Sequence, residues 1–480
     1  MTRDLLNSSA RDLLLAIRAK TFSAVDLMRL TYARINKVNP LVNAIITLLP
    51  EDRALAMARR ADEELAAGQP CGPLHGLPFA VKDLEETAGL RTTYGSLLYK
   101  DHIPESDSLM VARLRAAGAL IIGKTNVPEF GFGSQTYNEI FGPTRNAYCH
   151  ALTAGGSSGG AAVALATRML ALADGSDHGG SLRNPAAFNN IFGFRPTPGL
   201  IPSLSGDAFT LSLSTLGPMA RNIPDLALLL SVQAGADKAV PVSWPEGGLT
   251  FSNQLRANIS GRRIGWLGDL AGQLQVEPGI LALCEAALAT LATLGAKIEE
   301  TELGFAQERI WRSWSGLRAW GIAHKLDTVM RNPHQRDVLK PEAQWEAEQG
   351  LRLSALDVAH FIDERTAWFR HALNLFEHYD YLVLPAAQVF PFPAQTHWPH
   401  TINGVAMDSY HRWMEVVTPA TLGGLPALSV PVGFDEQGRP MGMQLIGKPR
   451  GELELLQLAM AYDEATGWTR HAPCAGSSTP

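Results

Sequence analysis

Two segments rich in glycine and serine hold most of the residues that could do chemistry. The first, residues 153–160, reads TAGGSSGG and runs into an alanine-rich stretch that favours a helix. The second, residues 174–185, reads DGSDHGGSLRNP. Glycine pairs let backbone N–H groups approach a ligand closely, and a following helix adds the positive end of its dipole. Both segments therefore suit the stabilisation of an anion, either a phosphate or the oxyanion of acyl transfer, although Gly-Ser runs are also common turn formers.

The spacing argues against phosphate binding. A P-loop requires G-x-x-x-x-G-K-[ST], and neither segment has a lysine at the required place. A dinucleotide fingerprint requires three spaced glycines, and the candidate GFGSQT at residues 131–136 lacks the third. Acyl transfer then needs a nucleophile and a base.

A serine and a lysine are the candidates for these roles. Residues 155–159 match the G-x-S-x-G elbow of α/β-hydrolases, which would make Ser157 the nucleophile. That elbow should directly follow a strand, but residues 148–153 do not have a strand pattern. Lys82 ends a short apolar run, where burial would lower its pKa and let it act as a neutral base. The spacing alone favours an exposed lysine after a strand, so the residues by themselves leave its role open.

A series of short motifs runs along the chain. In chain order these are GLPFAVKD at residues 76–83, NVPEF at 126–130, FGPTRN at 141–146, GGSSGG at 155–160, D-x-GGS-x-R-x-P at 177–185, GFRPT at 193–197, LGPMAR at 216–221 and GLPALSVPVG at 424–433. Together they resemble the amidase signature family, for which the motif at 177–185 is the most specific. The resemblance extends over about residues 20–465.

The resemblance implies a Ser-Ser-Lys triad. Ser181 would be the nucleophile that forms an acyl-enzyme. Ser157, held in a cis peptide in this family, would relay the proton, and Lys82 would act as the general base and later as the acid. The serine of the G-x-S-x-G pattern would then be the relay and not the nucleophile, with Ser158 in a supporting role.

The loop around the nucleophile is expected to form an oxyanion hole. The resemblance assigns this role to the backbone N–H groups of His178, Gly179, Gly180 and Ser181. Asp177 and Arg183 are expected to brace the loop and not to react. The side chain of His178 would either line the leaving-group side or simply pack.

Substrate contacts are expected in two places. The loop of Gly131, Phe132 and Gly133 is one, because the family position of Phe132 borders the nucleophile. The region of about residues 300–415 carries no family motif, so it would set substrate preference. Its aromatic residues, with Trp320 and Trp413 as candidates, could form a pocket for an aromatic or apolar acyl group, although buried core aromatics are the commoner explanation.

The hydrophobic pattern around these motifs alternates between strand and helix. Short apolar runs at residues 79–81 and 119–122 flank a helical stretch at 108–117, which predicts a βαβ unit. Further strands are predicted at 264–267, 296–298, 381–384, 427–430 and 441–446, with long helices near 304–325 and 355–377.

These elements predict an α/β fold. Strand candidates recur without a composition break, which favours one large mixed sheet. With the resemblance, we expect a single large domain whose twisted central sheet is mostly parallel and is covered by helices on both faces. A helical segment at residues 1–68 would pack on a core at 69–480, with the variable region at 300–415 inside that core.

Composition narrows the partners. The chain has 480 residues with 41 basic and 47 acidic side chains, a net charge of −6 and no basic block, which argues against nucleic acid or an anionic membrane as partner. No apolar run is long enough to predict a membrane span, and no secretory signal is recognised. The four cysteines, Cys71, Cys149, Cys284 and Cys474, have no zinc or disulfide spacing. We therefore expect a cytoplasmic protein without metal or cofactor, and the resemblance adds a possible homodimer.

The leading hypothesis is an amidase that hydrolyses a small carboxylic amide to carboxylate and ammonia or amine. One alternative is the glutaminase (A) subunit of a tRNA-dependent amidotransferase, which would need partner subunits. Another is an esterase of the α/β-hydrolase type, in which Lys82 would be dispensable. A non-catalytic binding role is the third, and the presence of Lys82, Ser157 and Ser181 together argues against it.

Overall fold

The computed structural model describes residues 5–204, 206–210, 212–245 and 250–473, and Cys474 lies outside them. The helices are α1 (Ala10–Arg18), α2 (Ala24–Val42), α3 (Glu51–Ala66), α4 (Leu109–Ala116), α5 (Gly159–Ala166), α6 (Arg183–Phe188), α7 (Ile223–Gln233), α8 (Thr250–Asn253), α9 (Ile280–Thr293), α10 (Gln307–Met330), α11 (Pro333–Arg336), α12 (Pro341–Leu351), α13 (Ala355–His378), α14 (Thr418–Leu422) and α15 (Glu452–Thr466). The strands are β1 (Ile45–Ile46), β2 (Pro78–Lys82), β3 (Leu120–Thr125), β4 (Leu172–Asp177), β5 (Phe192–Arg195), β6 (Thr215–Ala220), β7 (Arg263–Trp266), β8 (Lys297–Glu300), β9 (Tyr381–Pro385), β10 (Thr401–Ile402), β11 (Val405–Ala406), β12 (Ala427–Phe434) and β13 (Pro440–Gly447).

An eight-stranded mixed sheet lies at the centre of the fold, in the order β4-β6-β5-β12-β13-β9-β7-β8. Neighbours from β4 to β9 run antiparallel, whereas β9–β7 and β7–β8 are parallel. The α/β class and the mixed sheet are confirmed, but the prediction that the sheet is mostly parallel is wrong for the described strands. Parallel neighbours need a crossover such as α9 between β7 and β8, whereas the short turn between β12 and β13 makes those strands antiparallel.

A second sheet has three strands in the order β1-β3-β2. β2 and β3 are parallel and are connected through α4, which is the βαβ unit that the sequence predicts. The prediction of one large sheet is therefore wrong for these two strands. The sheets meet where the backbone N–H of Lys82, at the end of β2, donates to Asp174 of β4 at 3.0 Å. This junction places a lysine beside the glycine-rich loops.

The segment of α1 to α3 is attached to the rest of the chain by a helix cap and by strand β1. The carboxylate of Asp225, in α7, accepts hydrogen bonds from the backbone N–H groups of Ala10 and Arg11 at 2.7 and 3.1 Å, and so caps the start of α1. β1, which follows α2, adds an antiparallel edge to the small sheet. The division at residue 68 stays a prediction. Within the described residues, no helix is long and apolar enough to cross a membrane.

Candidate active site

Lys82 is buried at the point where the two sheets meet. Its side chain is surrounded by hydroxyl groups, with Nζ 2.8 Å from the Oγ atoms of both Ser157 and Ser158 and 3.0 Å from Oγ of Ser176. The residue is only 1% exposed. Burial lowers the pKa of Lys82 to about 7, although nearby carboxylates favour its protonated form. A substantial fraction of this amine is therefore neutral near pH 7, about the condition that a general base requires.

The loop that carries Ser157 is fixed by close backbone packing. The peptide bond between Gly156 and Ser157 is cis. α5 begins two residues later, and every residue of this helix is buried. A Cβ at Gly160 would come within 2.3 Å of the backbone nitrogen of Asn126 and 2.6 Å of the carbonyl oxygen of Ala44. Only glycine fits there, so this position of the motif is explained by packing as well as by chemistry.

Ser181 lies in the turn between β4 and α6, next to the serine pair. Its carbonyl oxygen accepts a hydrogen bond from the backbone N–H of Ser158 at 3.2 Å, which ties the two glycine-rich loops together. Ser181 is buried. The fold thus brings Lys82, Ser157 and Ser181 into one site, as the motifs predict, although they are far apart in the chain.

A buried ion pair holds the turn around Ser181. Arg183 donates to both carboxylate oxygens of Asp177, at 3.0 and 2.9 Å, and Arg195 lies 3.6 Å from the same carboxylate. Burial would raise the pKa of Asp177, but the two guanidinium groups hold it well below its ordinary value. These contacts hold the turn in place. Arg195 takes part in them, although the sequence analysis did not single it out.

The predicted oxyanion hole needs one correction. The N–H of Gly180 donates to Oδ1 of Asp177 at 3.0 Å, so this donor is already occupied. Gly180 instead serves the shape of the turn: its φ is +88°, and a Cβ would lie 2.8 Å from Met414. Within the described chain, the N–H groups of His178, Gly179 and Ser181 have no protein acceptor. Three of the four predicted donors are therefore free for an oxyanion.

A comparison with protein families identifies the family of the chain that carries this site. The family model described as Amidase matches residues 26–456 of the chain. The chain belongs to the amidase family. It is therefore a hydrolase of the amidase class, and the alternatives of an α/β-hydrolase esterase and of a binding protein are excluded.

Individual relatives and solved structures agree with this assignment. An acylamidase of Rhodococcus erythropolis is 33% identical, over 97% of this chain and 97% of its own length. The glutamyl-tRNA(Gln) amidotransferase A subunit of Thermosynechococcus vestitus is 34% identical, over 95% of this chain and 97% of its own. The crystal structure of a bacterial aryl acylamidase of the amidase signature family superimposes with a TM-score of 0.90 at 28% identity, covering 96% of each chain.

The loop of Gly131, Phe132 and Gly133 lies on one side of the amidase site. A Cβ at Gly131 would be 3.4 Å from Oγ of Ser157, so this residue borders the serine directly. Phe132 is buried, and its ring lies under the guanidinium of Arg318, 5.6 Å from the ring centre. Gly133 has a φ of +105° and turns the chain toward Gln135. The structure therefore brings Gly131 next to Ser157 and places Phe132 beside Arg318.

Trp320 and Trp413 do not line the site in the described structure. Trp320 is 47% exposed on α10, and Trp413 is fully buried, with its ring 5.3 Å from that of Phe392. Other side chains of the same segments lie beside the turn around Ser181 instead, because successive residues of a helix point in different directions. Trp314, also on α10, donates its indole N–H to the carbonyl oxygen of His178 at 3.1 Å, and Met414 reaches Gly180.

Two polar residues behind the base were also missed by sequence reasoning. Asp174 and Ser176 lie on the same face of β4, where side chains two positions apart point the same way. Both contact Lys82, one through its backbone N–H and the other through Nζ. Recognising residues 172–177 as a strand would have revealed them. Among the described residues there is no cluster of His, Cys, Asp or Glu side chains that could hold a metal ion.

Proposed function

We propose that this chain hydrolyses a small carboxylic amide to a carboxylate and ammonia or an amine, through an acyl-enzyme on Ser181. The observation that carries the proposal is the buried Lys82, whose Nζ is 2.8 Å from Oγ of Ser157. A neutral amine at this distance can accept a proton through the hydroxyl bridge, which the pKa of about 7 for Lys82 makes feasible near neutral pH.

The three hydroxyl neighbours orient this amine. A neutral amine has two N–H bonds and one lone pair, whereas the structure offers three hydroxyl oxygens around Nζ. If Ser158 and Ser176 accept the two N–H bonds, the lone pair is left for the hydroxyl proton of Ser157. We therefore assign the supporting role to Ser158 and Ser176.

The reaction then proceeds in two balanced halves. Oγ of Ser181 attacks the amide carbonyl, its proton passes to Ser157, and the proton of Ser157 passes to Lys82. The alkoxide of the tetrahedral intermediate is stabilised by free N–H groups of the turn. The proton returns through Ser157 to the leaving nitrogen, and the C–N bond breaks. Water then attacks the ester by the same proton path in the second half, which releases the acid and restores Ser181.

The surroundings of the turn favour a neutral, apolar acyl group. Trp314, Met414 and Val417 contact the glycines beside Ser181. The nearby cation, Arg318, is already paired with Glu346 at 2.6 Å, so it does not call for an acidic substrate. The similarity to an acylamidase and to an aryl acylamidase supports the hydrolysis of an acyl amide.

Two side chains near the turn have buried polar atoms without a hydrogen-bond partner in the described part of the chain. These are Nε2 of His178 and both amide atoms of Gln135. Because buried polar atoms are normally paired, we assign to them the recognition of the polar amide group of the substrate. For His178 this favours a substrate-facing role over simple packing.

A glutaminase that works within an amidotransferase is the second candidate, because amidotransferase A subunits are among the relatives, with 34% identity in one case. Assaying the purified chain with glutamine and with aliphatic and aryl amides separates the two. Turnover of simple amides by the chain alone supports the amidase. Activity on glutamine only, dependent on partner subunits, would overturn it.

Labelling and substitution test the triad. A fluorophosphonate should label Ser181, and Ser181→Ala should prevent this. Lys82→Ala should lower kcat/KM for a nitroanilide by about 10²–10⁴-fold near neutral pH, with partial recovery at high pH, where the serine ionises more readily. Lys297→Ala, which removes an exposed lysine at the edge strand β8, is the control and should be without effect. Full activity of Lys82→Ala would rule the mechanism out.

Compartment and assembly are part of the proposal. Cys71, Cys149 and Cys284 are free thiols, which fits the reducing cytoplasm. We propose a cytoplasmic enzyme without cofactor, and a homodimer on the family resemblance.

A further inference from the structure

Asp174 lies directly behind the base and is fully buried. Its carboxylate accepts the backbone N–H of Lys82 with both oxygens, at 3.0 and 3.3 Å. Two positions along the same strand, Ser176 contacts Nζ of the same lysine at 3.0 Å. β4 thus holds Lys82 at both ends, by its main chain and by the tip of its side chain.

Hydrogen bonding alone does not explain a carboxylate at this place. An asparagine of the same shape would accept the same N–H bond without bringing a charge into the interior, where an ion is costly unless it is paired. The cations that face Asp174 are Lys82 itself and Lys124 of β3. Nζ of Lys124 is held on the far side, by the carbonyl oxygen of Glu85 at 2.5 Å and the hydroxyl of Thr87 at 2.9 Å.

The charges facing Lys82 can be named element by element. β4 contributes Asp174 and Asp177, and the loop after β2 contributes Glu85. α5, which also packs against β2, has no titratable side chain. The carboxylate of Asp177 is already matched by its own two arginines. Asp174 is the carboxylate in this set that also hydrogen-bonds Lys82 itself.

We propose that Asp174 is a positioning residue of the active site, which anchors the end of β2 and supplies the negative charge against which Lys82 takes up its proton. This rests on Lys82 being the general base of the proposed function. The carboxylate is ionised where the base works, because burial raises the pKa of Asp174 only to about 6, opposed by the Lys82 N–H and by the two lysines.

The sign of the effect follows from this arrangement. Burial disfavours the ammonium form of Lys82, and a nearby negative charge favours it. Removing the charge of Asp174 should therefore lower the pKa of Lys82 below about 7. The amine then becomes neutral at lower pH, but it is a weaker base. We expect the acid limb of kcat/KM to move by about one unit toward lower pH, while the maximal rate falls about three- to tenfold.

The test compares pH profiles of kcat/KM for a nitroanilide, measured on the full chain. Asp174→Asn is the main variant, and Asp174→Ser, which leaves room for a water molecule as acceptor, repeats the charge removal with a different shape. Asp225→Asn is the matched control, because Asp225 is also buried and accepts two backbone N–H bonds, but caps α1. It should lower thermal stability and leave the acid limb in place.

The outcomes separate this inference from the proposed function. A shift toward lower pH in either folded Asp174 variant, absent from Asp225→Asn, supports the positioning role. If the acid limb of kcat/KM of the Asp174 variants does not move, or moves toward higher pH, the positioning role of Asp174 is overturned, even when Lys82→Ala is inactive. Wild-type activity of Lys82→Ala would instead remove the general base, and with it both proposals.

Discussion

Ser157 and Ser158 lie at the same distance from Nζ of Lys82, and they differ in what else they contact. Oγ of Ser157 faces the loop of Gly131, on the side where substrate is expected. Oγ of Ser158 is enclosed by β4, within 3.5 Å of the carbonyl oxygen of Ser176. A proton path to the substrate can therefore run through Ser157, whereas Ser158 can only hold Nζ in place.

This difference predicts unequal effects of the same substitution. Ser157→Ala should lower kcat by about 10²–10⁴-fold, because it interrupts the proton path. Ser158→Ala removes one of several hydrogen bonds to Nζ and should lower kcat by about tenfold. Steady-state kinetics with a nitroanilide measures both. Equal losses would mean that the two hydroxyls share the relay, against the roles proposed for them.

At the scale of single elements, α10 connects the variable region to the nucleophile turn. Its Trp314 donates to the carbonyl oxygen of His178, and a Cβ at Gly179 would be 3.0 Å from the same indole ring. α12 packs against α10 so closely that a Cβ at Gly350 would be 2.0 Å from the carbonyl oxygen of Ala319. A shift of α12 would therefore move α10 and, through Trp314, the backbone N–H donors of the turn around Ser181.

A pair of glycine substitutions tests this packing. Gly350→Ala should destabilise the protein by about 1–3 kcal/mol, because the helices must separate, and it should also lower kcat/KM by displacing Trp314. Gly321→Ala, on α10 in open space, should instead stabilise by up to about 1 kcal/mol through helix propensity and leave kcat/KM unchanged. Thermal unfolding and steady-state kinetics give the two readouts. Normal activity in a destabilised Gly350→Ala would show that α12 does not support the turn.

The single helices and strands also show how much of the fold could be predicted from the sequence. The helices predicted near 304–325 and 355–377 and the strands predicted at 427–430 and 441–446 correspond to α10, α13, β12 and β13, because their apolar periodicity is a local signal. β4 was not predicted, since its residues Asp174 to Asp177 are poor strand formers. Their place is set by pairing with β6 and by contacts to Lys82, which lie far away in the chain. The motifs therefore singled out Lys82, Ser157 and Ser181, whose roles stay a prediction, but they did not reveal Asp174, Ser176 or Trp314.

At the scale of the whole molecule, buried charges separate the conditions for stability and for activity. Burial raises the pKa of Asp174 and Asp463 to about 6 and that of Glu415 to about 7. For such groups the folded state binds the proton more tightly than the unfolded state. Their contribution to stability is fully present below the unfolded pKa of about 4 and is lost as the pH rises through the folded pKa, that is from about 4 to about 7. Asp177 acts in the opposite direction, because its depressed pKa contributes stability that is lost only in more acidic solution.

Thermal unfolding should therefore show a maximum of Tm near pH 4 and a lower Tm near pH 7, both values being about the limits that these pKa shifts set. Asp463→Asn supplies the test of cause. Asp463 lies in α15 and accepts a hydrogen bond from the backbone N–H of Ile223 at 3.2 Å, and it is not among the carboxylates that act on the pKa of Lys82. Without this carboxyl, the decrease of Tm between the two pH values should be smaller, while the pH profile of kcat/KM should not change. A Tm that rises steadily between them would contradict the argument. Because the proposed mechanism requires Lys82 to lose its proton, activity should increase over the same interval in which stability decreases, so we expect the enzyme to work on the less stable side of its own maximum.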